Sequence, residues 1–376
     1  MAIQVINAVI HGFDKDQHTT TIPLEKIVIK KKVLDVQSPP VKSLVEGVAK
    51  LLGTKLNTKS WGRFDVEKDR KFYREFNLKV SLLRNDDDFL DLTKKTMVEV
   101  IDEAQGRPAS TGSKILFSSY LDDSGKLRLL IAMIKQKGGI RLDEDYVPLD
   151  VVAIDMSKLS QAAEIYCDDY LAICAEEVVA TREKSDEAKV EDEEIDLKNY
   201  LSFLASREQD ASGYFIKALN CVLNVSPKKS TASVIKATED FFRANKELQP
   251  FVKSAREAVC KYLQEKIENK LPAKLEDIVH LVKATLPPDL VEKVEDIGDY
   301  YNNDEYRVPA EFYVHNLELN KHIKVVVDAD DMQLKFNRSV IGVSKDSRIF
   351  YDRSRKTLTI KNLTQSQMEQ LDRQVS

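Results

Sequence analysis

Five histidines, four cysteines, a glycine-bounded loop ending in lysine and a few carboxylates near strand ends are the residues with which this sequence could do catalytic or metal chemistry. His11, His18, His280, His315 and His322 are scattered, and none stands in an H-E-x-x-H or triad-like setting, which predicts surface or locally hydrogen-bonded side chains. Cys167, Cys174, Cys221 and Cys260 lack the close-spaced pair that nucleates a zinc site, so they read as reduced thiols packed as small hydrophobes. Gly106–Lys114 (GRPASTGSK) resembles a phosphate loop only superficially. Ser113 separates Gly112 from Lys114, and the loop runs from a helix to a strand, the reverse of the arrangement that points a helix N-terminus at phosphate. A magnesium-dependent nuclease would gather two or three carboxylates and a lysine. Asp150, and Asp196 with Lys198, are weak matches that chance supplies in a chain with 62 acidic residues. The sequence thus carries no catalytic signature and implies no cofactor or metal.

Basic patches carry more information. Leu56–Lys79 interleaves Lys59, Arg63, Lys68, Arg70, Lys71, Arg74 and Lys79 with Trp61, Phe64, Phe72, Tyr73 and Phe76, and Lys55 precedes it. Cations beside aromatics can hold phosphates while rings stack on bases or sugars. The plainer reading is a helix with an inward aromatic stripe and a solvated basic face, and such a face can itself be presented to a duplex. A second, weaker patch is Lys228-Lys229, with Lys217 and Lys236.

Charge is unevenly spread. The formal net charge is −5, awkward for a protein whose affinity for nucleic acid would come from displacing counterions with Lys and Arg. Yet Lys42–Arg84 holds eleven basic and five acidic residues, while Glu183–Asp196 holds eight acidic and two basic. The acidic stretch reads as a solvated linker, with a segment that competes with DNA as the alternative. No apolar run approaches the roughly 18 residues that cross a bilayer, and the N-terminus has no basic region before an apolar stretch, which predicts a cytoplasmic protein.

The elements follow from periodicity. Strands are expected at Ile3–Phe13 and Ile22–Leu34, and a helix over Val41–Leu52 begins behind Ser38-Pro39-Pro40. An amphipathic helix spans Asp86–Ala104. Lys114–Leu121 and Lys126–Lys137 flank the turn Asp122–Gly125 as a β-hairpin, and Tyr146–Met156 is a further strand. From Leu197 to Leu286 the pattern reads as helical, including Asn199–Val225. Strands return at His322–Val327, Met332–Asn337, Arg348–Tyr351 and Thr357–Ile360, and Thr364 caps a last helix over Gln365–Arg373. The expected class is α+β: an N-terminal antiparallel sheet with packed helices, a central helical region, and a small C-terminal strand-hairpin region with a final helix. The expected division is 1–180, an acidic linker 181–198, a helical region 199–290 and a β-rich region 291–376.

Three stretches resemble the NdpA-like nucleoid-associated proteins of bacteria. Asn199–Ala211 (NYLSFLASREQDA) is similar to that family's tyrosine-leucine-x-phenylalanine-leucine helix with an arginine at Arg207. Arg348–Gln370 is similar to its closing hairpin and helix, through Tyr351, Asp352 and Thr357-Leu358-Thr359-Ile360-Lys361. Lys59, Gly62 and Phe64 match its N-terminal spacing. The resemblance implies a non-enzymatic protein of the cytoplasm and nucleoid, bound to double-stranded DNA and dimeric, with no membrane association. Glu208 and Asp210 stand where relatives carry basic residues, which moves the expected DNA contact to Lys55–Lys79. The alternative reading is an interaction protein that acts on a DNA-topology or replication enzyme; a cryptic nuclease is a third.

Overall fold

A computed structural model describes residues 3–52, 54, 59–65, 71–157, 159–183, 199–204, 213–329 and 332–375. The chain divides into two compact units, one of residues 1–226 and 302–310, the other of 227–301 and 311–376.

The first unit is built on antiparallel strands. In chain order they are β1 (Gln4–Phe13), β2 (Ile27–Val28), β3 (Ser60–Phe64), β4 (Ser113–Leu121), β5 (Leu127–Ile134), β6 (Gln136–Leu142), β7 (Pro148–Ile154), β8 (Ala162–Tyr166), β9 (Leu201–Phe203) and β10 (Cys221–Leu223). Among the described residues, eight form one sheet in the order β10-β3-β9-β8-β5-β4-β1-β2, while β6 and β7 pair only with each other. Its helices are α1 (Pro39–Leu51), α2 (Lys71–Lys79), α3 (Asp86–Gln105), α4 (Cys167–Glu183) and α5 (Tyr214–Ala218).

Every residue of β5 is buried. Leu127, Leu129, Ile131 and Met133 join a core with Phe72 and Phe76 of α2 and Phe89 of α3. Leu130, Ala132 and Ile134 join a second core with Val45, Val48 and Ala49 of α1. A strand covered on both faces needs a continuous apolar run instead of alternation, which is why LRLLIAMI reads as it does. The expected β4–β5 hairpin forms, and Asp122 Oδ1 ties its turn by accepting from the backbone N–H of Ser124 and Lys126. The α3 helix begins where Asn85 Oδ1 accepts from Asp87 N–H and Asp88 N–H, with three aspartates in the first turn against the helix dipole.

Two expectations are corrected. The second strand shrinks from Ile22–Leu34 to Ile27–Val28, because the chain takes a short 3-10 turn over Leu24–Lys26 behind Pro23. Asn199–Val225 is not one helix. Leu201–Phe203 and Cys221–Leu223 are sheet strands, and among the described residues of this stretch Tyr214–Ala218 alone is helical. Tyr200, Phe203 and Leu204 imitate helical spacing, but tertiary pairing with β3 and β8 decides the local structure.

Gly62 of β3 is required by close approach. A Cβ there would lie 2.0 Å from Val222 O and 2.9 Å from Phe203 Cε1. Gly62→Ala must push β10 off β3, and should cost about 3 kcal/mol, read by chemical denaturation. A loss below about 0.5 kcal/mol, the range of a neutral surface change, would mean β10 is not held there.

His11 is buried in β1, where Nδ1 accepts from Lys30 N–H at 3.1 Å and Nε2 lies 3.0 Å from Thr93 Oγ1. Burial, then Lys94 and Lys30, lower its pKa to about 4. The unfolded chain takes up a proton near pH 6.5 that the fold refuses until about 4. Stability linked to His11 is therefore full above 6.5, declines as pH falls between those values, and amounts to about 3 kcal/mol. His11→Gln should flatten this part of the pH–stability curve; an unchanged slope would assign the acid sensitivity elsewhere.

The second unit is described by α6 (Pro227–Ala244), α7 (Val252–Glu268), β11 (Ala273–Lys274), α8 (Leu275–Lys283), α9 (Ile297–Tyr301), β12 (Glu311–Phe312) and α10 (Asn316–Ile323). Val234, Ile235, Phe242, Val259, Leu263, Ile278 and Tyr301 form its interior. Then come the hairpin β13 (Lys324–Ala329) and β14 (Met332–Asn337), a small sheet of β15 (Ile341–Gly342), β16 (Ile349–Asp352) and β17 (Thr357–Ile360), and α11 (Gln365–Val375). Thr364 and Gln367 form a capping box: Thr364 Oγ1 accepts from Gln367 N–H, and Gln367 Oε1 accepts from Thr364 N–H. The molecule is thus an α+β fold with an N-terminal sheet, packed helices, a central helical region and C-terminal strands and helix. Among the described residues, no helix is long and apolar enough to cross a membrane.

Candidate nucleic-acid interface

The basic stretch expected around Lys55–Lys79 splits between a strand and a helix. Lys55, Lys68 and Arg70 lie outside the described residues. Trp61 and Phe64 are on β3, Phe72 and Phe76 on α2, and all four are buried. Phe64 is the hub, with ring centroids of Phe72, Tyr73, Phe76, Tyr170 and Tyr200 within 5.4 to 6.0 Å. Trp61, Phe64, Phe72 and Phe76 build the core and offer no face to a base, in keeping with the inward-stripe reading, while Tyr73 is half-buried against Phe64.

The cations have separate fates. Lys71 and Arg74 are exposed on α2, and Lys71 Nζ stands 3.3 Å from Glu99 of α3. A pair open to solvent on its lysine side is worth at most about 1 kcal/mol, which leaves the lysine able to exchange partners. Lys79 is held between Asp88 and Asp91 at 3.0 and 2.9 Å, and Asp91 sits below the usual carboxylate range because of it. Arg63 is half-buried on β3. Lys228 and Lys229 are exposed on α6, in the second unit. The first unit also exposes Lys30, Lys31 and Lys32 after β2.

Lys59 has gone inside. Its Nζ lies 2.8 Å from Asp304 Oδ1 and 3.6 Å from Glu164 Oε2 of β8, and it donates to Tyr166 OH at 3.2 Å. Tyr166 OH donates to the same Asp304 oxygen at 2.8 Å, and Tyr120 OH donates to Glu164. Arg128 of β5 stacks 3.6 Å over the Tyr166 ring and grips Asp122 Oδ2 through Nε and Nη2 at 2.9 and 2.7 Å. Arg307 lies 4.9 Å from the Trp61 and Tyr166 rings and pairs with Asp169 at 3.1 Å. Asn302 fastens the same segment by accepting from Lys59 N–H at 2.7 Å and donating to Lys59 O at 2.9 Å. Burial alone would raise the Asp304 carboxyl, but Lys59, Tyr166 and Arg128 hold it below its ordinary value. Burial pushes the Tyr166 and Tyr120 phenols well up, so both stay protonated donors.

Sequence reasoning missed this network, because Lys59 and Asp304 are 245 residues apart. Each cation in it faces a carboxylate, which makes it a lock on the sheet. Among the described residues, no group of three or more His, Cys, Asp or Glu is placed to hold a metal ion. Asp150 is exposed on β7, while Asp196 and Lys198 lie outside the described residues. The thiols of Cys167 and Cys260 are buried, and Cys174 and Cys221 are partly so. The loop before β4 is closed by Lys15, whose Nζ donates to Arg107 O and Ser110 O, both at 3.0 Å.

The sequence profile of the nucleoid-associated protein YejK family matches residues 9–369. The chain belongs to this family. A nucleoid-associated protein of Vibrio vulnificus is 21% identical over 366 residues, covering 96% of each chain. One of Proteus mirabilis is 22% identical over 378 residues, covering 100% of this chain and 99% of the other. One of Pseudomonas aeruginosa is 22% identical over 316 residues, 84% of this chain and 83% of its own. The family match takes in β3, the Asp304 segment and the closing β16–β17 hairpin alike. Arg207, Glu208 and Asp210 lie outside the described residues.

Proposed function

We propose that this member of the family is a non-enzymatic, NdpA-like, nucleoid-associated protein that binds double-stranded DNA as a homodimer in the bacterial cytoplasm. Contact is electrostatic and largely independent of sequence, through phosphates. The observation that carries the reading is the family match over 9–369, every named relative of which is called nucleoid-associated. The surface cations of the first unit supply the charge: Lys71 and Arg74 of α2, with Arg70 beside them in sequence, and Arg63 at the sheet. Lys59 and Lys79 are spent on internal partners and are left out of the contact surface. The net charge is −5 per chain, and a dimer sets two basic faces against one duplex, so the second binds at the effective concentration set by the first.

The deciding experiment is fluorescence anisotropy of labelled duplex DNA at a series of salt concentrations. Affinity should fall linearly on logarithmic axes, with a slope that counts the phosphates neutralised. No binding at low salt would overturn direct contact and move the nucleoid association to a protein partner, such as a topology or replication enzyme.

A further inference from the structure

The β6–β7 hairpin is an arm that the fold leaves uncovered. It continues from β5, runs through the register Gln136↔Ile154 to Leu142↔Pro148, and among the described residues pairs with no other strand. Seven residues per strand give a reach of about 23 Å. Ile140, Val152 and Tyr146 are 75%, 65% and 80% exposed, and Leu142 is exposed with them. Ile140, Leu142 and Val152 share one face in this register. An isolated two-stranded ribbon is marginal in water, and a ribbon with two open edges is a template for another strand.

Charge says what covers it. The tip carries Asp143, Glu144 and Asp145 with Arg141, and Asp143 Oδ1 is occupied by the N–H groups of Asp145 and Val147 in the turn. The base carries Lys114, Lys135 and Lys137 with Asp14 and Asp155. Beside the base is a cavity of about 240 Å³ lined by Ser113, Lys114, Lys135 and Gln136, with Asp14 at its wall. Tip and base are thus opposite in sign and one arm's length apart.

We propose that the arm is the homodimer interface: two arms lie antiparallel about a two-fold axis, and each acidic tip seats Glu144 and Asp145 against Lys114 and Lys135 of the other copy. A two-fold contact is self-complementary by symmetry, so a tip–base match is made twice. Equal arm lengths bring both ends into register, and one open edge of each ribbon is covered. Asp150, opposite Ile140 and on the same face, stays in water because the contact is edge to edge. The inference rests on the homodimer proposed above and adds its surface.

Three variants of the full chain test it by sedimentation equilibrium. The tip variant, Glu144→Lys with Asp145→Lys, and the base variant, Lys114→Glu with Lys135→Glu, should each weaken self-association about ten-fold or more. Mixed one to one, they should dimerise again, because each reversed tip then meets a reversed base and each native tip a native base. The combined four-fold variant should dimerise alone. All substitutions are at exposed positions, and circular dichroism verifies the fold. A wild-type dimer unaffected by either variant, or no recovery on mixing, would overturn the arm while leaving the dimer intact. A wild-type monomer would overturn both, and DNA anisotropy on the same samples tests the DNA reading separately.

Discussion

Lys59→Met is expected to destabilise the first unit by about 3–5 kcal/mol, the cost of removing one partner from a buried ion pair. The variant leaves Glu164 buried and Asp304 without its 2.8 Å cation. The loss is set by the stranded carboxylates more than by the attraction removed, because transfer of a charge out of water costs several kcal/mol unless a partner compensates. For a domain stable by about 5–15 kcal/mol this is a large fraction. Trp61 is the only tryptophan and lies 5.3 Å from Lys59 Nζ, so its fluorescence reports this unit in denaturant. Adding Glu164→Gln should recover part of the loss, since the amide oxygen still accepts from Tyr120 and the buried charge is gone. A Lys59→Met loss below about 1 kcal/mol, the range of exposed pairs, would demote the network to a surface feature. No recovery in the double variant would show that packing of the lysine stem carries the effect.

The parts of the fold legible in sequence are those fixed by local chemistry. Asn85 before Asp86-Asp87-Asp88 marks the start of α3, the β4–β5 turn is written in Asp122–Gly125, and Thr364 with Gln367 marks the last helix. The parts that were not legible are decided by partners far along the chain. β9 is three residues long, too short for a period to show, and β8 and α4 lie in a stretch without a clear turn signal. The candidate site divides in the same way. That Lys71 and Arg74 stand on a helix with its aromatics inward follows from spacing alone. That Lys59 is inside follows only from Asp304, and that Lys79 is neutralised follows only from the packing of α2 on the acidic start of α3. A count of local charge gives +6 over Lys42–Arg84 but cannot say which cations the fold spends on itself.

That distinction gives the second large effect. Reversing Arg70, Lys71 and Arg74 to glutamate should lower affinity for duplex DNA by about 500-fold near 0.1 M salt, and reduce the steepness of the salt dependence by about 3. Both figures follow from about 0.9 counterion per neutralised phosphate, about three phosphates no longer neutralised and a reference of about 1 M salt. Lys79→Gln is the internal contrast. It removes one positive charge from α2, a charge already held by Asp88 and Asp91, so the salt slope should not move. If Lys79→Gln lowers the slope as much per unit of charge removed as the triple reversal does, net charge and not a defined surface governs binding. If the α2 reversal leaves affinity and slope unchanged while Lys228→Glu with Lys229→Glu lowers both, the DNA-facing surface belongs to α6 and the second unit. Should neither matter, phosphate binding by these patches is overturned, whatever the wild-type affinity. The Lys71–Glu99 pair predicts one more detail: Glu99→Gln frees Lys71 and should raise affinity slightly at low salt, an increase that vanishes as salt screens the pair.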